Sequence, residues 1–172
     1  MFRNTAKLLT LAAGLTFSGQ AFAQASDSEP TDVSISIAQA LAITETASLR
    51  FGSVVKGDTE TTTVTINETS GDRDSSGGNA TLITSTSGRA TYTVTGEAGA
   101  GFDIALDDDS FDLDGPGAAV LPVTLVPSAA SGTLTGGTAT IGVGGSVDID
   151  NEDATIVAGA YTGVFTVTVT YN

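Results

Sequence analysis

The chain ends on "AYTGVFTVTVTYN", residues 160–172. Every second residue from Tyr161 forms one series: Tyr161, Gly163, Phe165, Val167, Val169 and Tyr171. Thr162, Val164, Thr166, Thr168 and Thr170 fall between them. A repeat of two belongs to a pleated strand, whose successive side chains point to opposite faces. Fully burying an apolar side chain contributes ~1.5–3 kcal/mol, so the five larger residues of this series are worth on the order of 10 kcal/mol before unfolded-state discounts. That rivals the whole net stability of a domain, ~5–15 kcal/mol. A chain carrying this strand must therefore fold so that one of its faces is covered.

The same period recurs upstream. Val33, Ile35, Ile37, Leu41 and Ile43 alternate, with Gln39 interrupting. Leu49, Phe51 and Val54 follow, then Val64 with Ile66, Tyr92 with Val94, and Phe102 with Ile104 and Leu106. Val123 with Leu125, and Ile141, Val143, Val147 and Ile149, continue the pattern. Between these runs lie "SGDRDSSGGN", "GEAGAG", "DGPGAA" and "PSAASG", which are turn chemistry. About ten short strands with glycine-rich turns fit an all-β sandwich or barrel. Pro122 inside "VLPVTLV" predicts an edge strand or a bulge, because proline has no N–H for a ladder.

The first residues read as something other than this fold. Arg3 and Lys7 precede the apolar "LLTLAAGLTFSG", and "AFA" ends at Ala23. That order predicts a secretory signal peptide over residues 1–23. The apolar run is short of the ~20 residues a membrane helix needs, so no membrane insertion is expected. Residues 24–37 then form a flexible N-terminal extension and residues 38–172 the β-domain. Arg3 and Lys7 leave with the leader, so four of the six cations remain against 20 acids, a balance of −16. Such a surface excludes nucleic acid and anionic lipid as partners, since both require basic patches. The sequence has no His, Cys or Trp. That removes the commonest general acid–base and the usual ligands of zinc, haem and iron–sulfur sites. No enzyme and no obligatory cofactor are expected.

Carboxylates remain. "LDDDSFDLDG" contains Asp112 and Asp114, and "VDIDNED" contains Asp148 and Asp150. Clustered oxygens of this kind suit calcium, which takes six to eight of them. The EF-hand pattern fails, since Ser110 stands at its first position and Leu121 at its twelfth. The other reading is a solvated strand, with Phe111 and Leu113 inward and Asp112 and Asp114 outward. Val147 and Ile149 stand to Asp148 and Asp150 in the same way.

Three segments carry a resemblance: "LAITETASLRFGSVVKG", "YTVTGEAGAGFDIAL" and "AGAYTGVFTVTVTYN". In that order they resemble the bacterial secreted family known as domain of unknown function 4402. The last also resembles the ends of chaperone–usher and spore-coat-U-type pilus subunits. Those families place a glycine fourteen positions from the C-terminus and a tyrosine next to last, where Gly159 and Tyr171 stand here. The resemblance implies an immunoglobulin-like antiparallel β-sandwich, pilin-like in kind. It implies an exported surface protein that assembles with other copies of itself or related subunits by β-strand donation. A periplasmic chaperone and an outer-membrane usher would be its further partners. Val33, Ile35 and Ile37 would then be the donor strand. Tyr161, Phe165, Val167, Val169 and Tyr171 would line part of the acceptor groove, with Gly159 and Gly163 in the recognised strand. Two alternatives stay open at this point: a self-contained envelope or biofilm-matrix sandwich with weak calcium sites, and a carbohydrate-binding module.

Overall fold

The computed structural model describes residues 26–172, so the expected leader lies outside the described residues. Among these residues there is no helix. Twelve strands form: β1 (Ala42–Ala47), β2 (Ser53–Val55), β3 (Thr61–Ile66), β4 (Arg73–Gly77), β5 (Thr81–Ile83), β6 (Ala90–Thr95), β7 (Gly101–Leu106), β8 (Ser110–Asp114), β9 (Val120–Pro127), β10 (Ser131–Thr133), β11 (Thr138–Asp150) and β12 (Val167–Tyr171). Every pairing between them is antiparallel.

β11 organises the larger sheet. Val143 lies opposite Ala90 of β6 and also opposite Pro127 of β9. Val147 lies opposite Val64 of β3 and also opposite Val123 of β9. A strand has only two edges, so β6 and β3 share one edge end to end and β9 takes the other. β1 then flanks β6, β4 flanks β3 and β8 flanks β9, which completes seven strands. A second sheet runs β10-β7-β12, and β2 pairs with β5 alone.

The crowding where β6 gives way to β3 is met by glycine. A Cβ on Gly144 would collide with the carbonyl of Ile66 and the backbone of Glu68. One on Gly145 would collide with the carbonyl of Thr124, on the opposite edge. Only bare backbone lets three strands approach here.

Inward residues alternate as the sequence predicts. In β9, Leu121, Val123 and Leu125 are buried while Val120, Pro122, Thr124 and Val126 are exposed. Two clusters result. One joins Val64, Val123, Val143 and Val147 to the half-buried Phe51, Val54 and Leu82. The other joins Val94 and Ile141 of the large sheet to Phe102 of β7, with Val169 of β12 packed against them. Packing of two sheet faces around shared apolar residues makes this an all-β sandwich. Pro122 lies opposite Asp112 of β8, one residue before the pairing with β11 begins at Val123. Its missing N–H therefore falls where β9 has a ladder partner on one side only.

Two expected strands differ from the pattern. Residues 26–41 form no strand. Val33, Ile35 and Ile37 are 94%, 89% and 89% exposed. The terminal strand is half as long as its alternation, because only Val167–Tyr171 finds β7 as a ladder partner.

Gly144→Ala should lower stability by about 1–3 kcal/mol through overpacking. Urea unfolding would show a lower midpoint with an unchanged slope.

Candidate functional site

An open apolar groove of about 1000 Å³ lies over the β8, β9 and β11 face. Its floor comes from alternate residues of these strands: Phe111 and Leu113, Leu121 and Val123, Val147 and Ile149. Two stretches of chain form its walls. One is residues 48–56, leaving β1 and running through β2. The other is residues 156–163 with Phe165, leading into β12.

Polar anchors hold the first wall. Arg50 exchanges backbone hydrogen bonds with Gly88, at 2.8 and 2.9 Å. The Arg73 guanidinium donates from Nη1 to the Phe51 carbonyl at 3.1 Å and from Nη2 to the Ile83 carbonyl at 2.8 Å. At the far end, the Lys56 ammonium donates to the carbonyls of Asp153 and Ile156. Asn151, buried beside it, is satisfied on both atoms. Its Oδ1 accepts from Gly57 N at 3.0 Å, and its Nδ2 donates to the Glu60 carbonyl at 2.7 Å and to Thr62 Oγ1 at 2.8 Å. A buried amide so paired avoids the ~1–3 kcal/mol cost of an unmade bond.

The second wall is not a regular strand. The Tyr161 hydroxyl donates to the Val157 carbonyl at 2.9 Å and accepts from Val157 N at 3.1 Å, closing a small loop. Thr162 and Asp114 exchange backbone bonds of 2.8 and 2.9 Å. Gly163 lies over Phe111 and Leu113, where a Cβ would strike both side chains. Phe165 packs on Phe111 with ring centroids 6.4 Å apart. Thr166 N donates to Asp107 Oδ1 at 2.8 Å, which starts β12. That bond holds the Asp107 carboxyl below its ordinary value.

The walls run in opposite directions. Lys56 ties residue 56 to residue 156 at one end. Beyond the walls, the Tyr171 hydroxyl donates to the Gln39 carbonyl at 2.8 Å and accepts from Glu97 N at 2.7 Å, so residues 39 and 171 lie together as well. Two antiparallel walls stand over one sheet face with the apolar floor between them. The first wall, nine residues at ~3.3 Å each, exceeds the ~17–20 Å of an ordinary strand.

The expected site residues divide accordingly. Of the terminal series, Tyr161, Gly163 and Phe165 line the groove, and Gly159 lies in the same wall against Pro116. Val167 is buried beside the groove's core cluster, whereas Val169 packs against the other cluster. Tyr171 is 39% exposed and acts through its hydroxyl. Val167, Val169 and Tyr171 therefore do not line the groove, because the chain pairs with β7 from Val167 onward. Sequence reasoning missed Arg50, Lys56, Arg73 and Asn151. The scarcity of cations in so acidic a chain was the available signal for the first three.

The acidic residues are not gathered. Asp112, Asp114, Asp148 and Asp150 are all exposed on outward strand positions. Asp148 Oδ1 accepts from Thr63 Oγ1 at 2.6 Å, and Asp150 Oδ1 from Glu152 N at 2.9 Å. Among the described residues no three acidic groups converge as a metal site would require.

Two predictions follow from these anchors. Arg73→Met should destabilise by about 1.5–3 kcal/mol, the range for hydrogen bonds to a charged group. Hydrogen exchange should then rise first over residues 50–55. Asp107 has a depressed pKa, so it stabilises the fold above its unfolded value and loses that contribution as pH falls through the folded one. The relevant window lies below about pH 4. Asp107→Asn should flatten the stability–pH slope there, read by acid titration of the unfolding midpoint.

No curated protein and no solved structure matches this chain. The sequence pattern of one family matches residues 41–171, from just before β1 to the end of β12. The chain belongs to that family, Domain of unknown function (DUF4402).

Proposed function

We propose that this protein is an exported structural subunit that polymerises by donating its N-terminal segment into the groove of the next copy. The observation that carries this reading is the pairing of an open apolar groove with an alternating apolar segment left exposed among the described residues. Val33, Ile35 and Ile37 stand at the period of a strand, and each is at least 89% exposed. Burying each would contribute ~1.5–3 kcal/mol. Strand addition also supplies main-chain hydrogen bonds, with alternate side chains entering the pockets.

Reach favours a second copy over self-insertion. Gln39 is tied by its N–H to Glu97 at 3.0 Å and by its carbonyl to Tyr171 at 2.8 Å. The groove wall begins at Ser48, nine residues further on. Val33 lies only six residues before Gln39, so a segment folding back along β1 stops short of the groove. Repeated head to tail, a contact of this kind does not close and builds a fibre. The resemblance of the terminal segment to the ends of pilus subunits, and an immunoglobulin-like reading of the sandwich, would fit such a role. In that reading the protein passes the inner membrane, meets a chaperone in the periplasm and is assembled at the surface by an usher. The chaperone's own strand would occupy the groove until the next subunit replaces it.

Purified residues 24–172 should form fibres visible by negative stain, and deletion of residues 26–37 should leave monomers. The deleted chain keeps its groove but cannot donate. Added in small amounts to the parent chain, it should cap and shorten fibres. Fibres formed by the deleted chain alone would refute strand donation.

A further inference from the structure

The groove's rim carries charge opposite in sign to the chain's net balance. The chain carries 20 acids and six bases. Yet the described residues lining the groove include Arg50 and Lys56 and no Asp or Glu. The two cations sit in different settings. Lys56 is half-buried, and its ammonium is held by the carbonyls of Asp153 and Ile156. Asp153 stands at this end too, its carboxyl held below its ordinary value by hydrogen bonds from Thr155 and, to a smaller extent, by the Lys56 charge, so an acid already accompanies the lysine here. Arg50 is exposed six positions back along the wall. Arg73 adds a second positive charge at that end, since its guanidinium binds the carbonyl of Phe51, the next residue. Arg89 stands beside Gly88, the backbone partner of Arg50, with its guanidinium on the Glu68 carbonyl at 2.7 Å.

The donor segment is polarised in a matching way. Asp27, Glu29 and Asp32 precede Val33, whereas residues 33–44 contain no charged side chain. Alternation puts Val33, Ile35 and Ile37 toward the groove floor and leaves Asp32, Ser34 and Ser36 at the rim.

We infer that Arg50 recognises the acidic lead of a second copy's N-terminal segment and so sets the direction and register in which that strand docks; the inference rests on the strand-donation reading above. Asp32 lies against Arg50, and Ile37 lies toward the Lys56 end. The incoming strand then runs parallel to wall 48–56 and antiparallel to wall 156–165. Antiparallel pairing with the C-terminal wall is the slightly more stable of the two ladders. The reverse direction would leave the acidic lead beside Asp153 and forfeit the arginine end. Charges at a rim act mainly on encounter, orientation and register, with a modest effect on affinity.

The test uses a fluorescent peptide of residues 27–38 and the chain lacking residues 26–37. That deletion removes no strand, because β1 begins at Ala42. Arg50 offers a solvent-facing side chain and anchors its wall through its backbone, so Arg50→Glu should leave the fold intact. The parent acceptor should bind the peptide, and Arg50→Glu should weaken it about fivefold at low ionic strength. A peptide carrying Asp32→Lys should bind Arg50→Glu better than it binds the parent acceptor. Salt at about 0.5 M should shrink both differences, since screening shortens the reach of exposed charges. Equal binding of the original peptide to parent and Arg50→Glu acceptors would overturn the charge register and leave strand donation standing. So would a loss that the Asp32→Lys peptide does not recover. A peptide that fails to bind the parent acceptor would overturn strand donation itself.

Discussion

The large sheet depends on β11 holding three neighbours on two edges. Val143 and Val147 each have a partner on both sides, and those on one side belong to different strands, β6 and β3. End-to-end packing of two strands along one edge crowds the backbone where they meet. Gly144 and Gly145 sit at that place, and side chains there would strike carbonyls on both edges. Everything else is arranged around this strand. Its N-terminal half faces β7 and β12 through Ile141 and Phe102, and its C-terminal half forms part of the groove floor through Val147 and Ile149.

The two halves of the sandwich are finished differently. Over the first, β7 and β12 supply a covering sheet. Over the second, residues 48–56 and 156–163 stand apart, held by polar anchors at their margins. Arg73, Lys56, Asn151 and Tyr161 all bind backbone groups, so they fix the walls without filling the space between them. An apolar floor between fixed, antiparallel walls is suited to an extended chain that brings both side chains and main-chain hydrogen bonds. The terminal tyrosine contributes at a distance. Its hydroxyl ties Gln39 to the end of β12.

Charge complements shape. A chain with so many acids repels its own copies, which keeps it dispersed. The arginine end of the groove is a local exception, and under the proposed strand donation it would meet a segment whose acids all precede its apolar residues.

Much of this was legible from period alone. The inward sets of β3, β9 and β11 are the alternating residues of the sequence, and Phe111 and Leu113 point in while Asp112 and Asp114 point out, as a solvated strand requires. The outward turn of Asp148 and Asp150 was equally legible, because strand periodicity is local. The groove was not. Val33–Ile37 and Val167–Tyr171 show the same alternation, yet one segment is bare and the other is laddered to β7. A strand's side-chain faces are set by its own backbone, so sequence determined which residues could be buried and that acids precede the apolar N-terminal run. Its hydrogen-bond partners come from distant parts of the chain. Only the tertiary structure decided which edges are covered, which four polar side chains hold the walls, and where an apolar groove is left open.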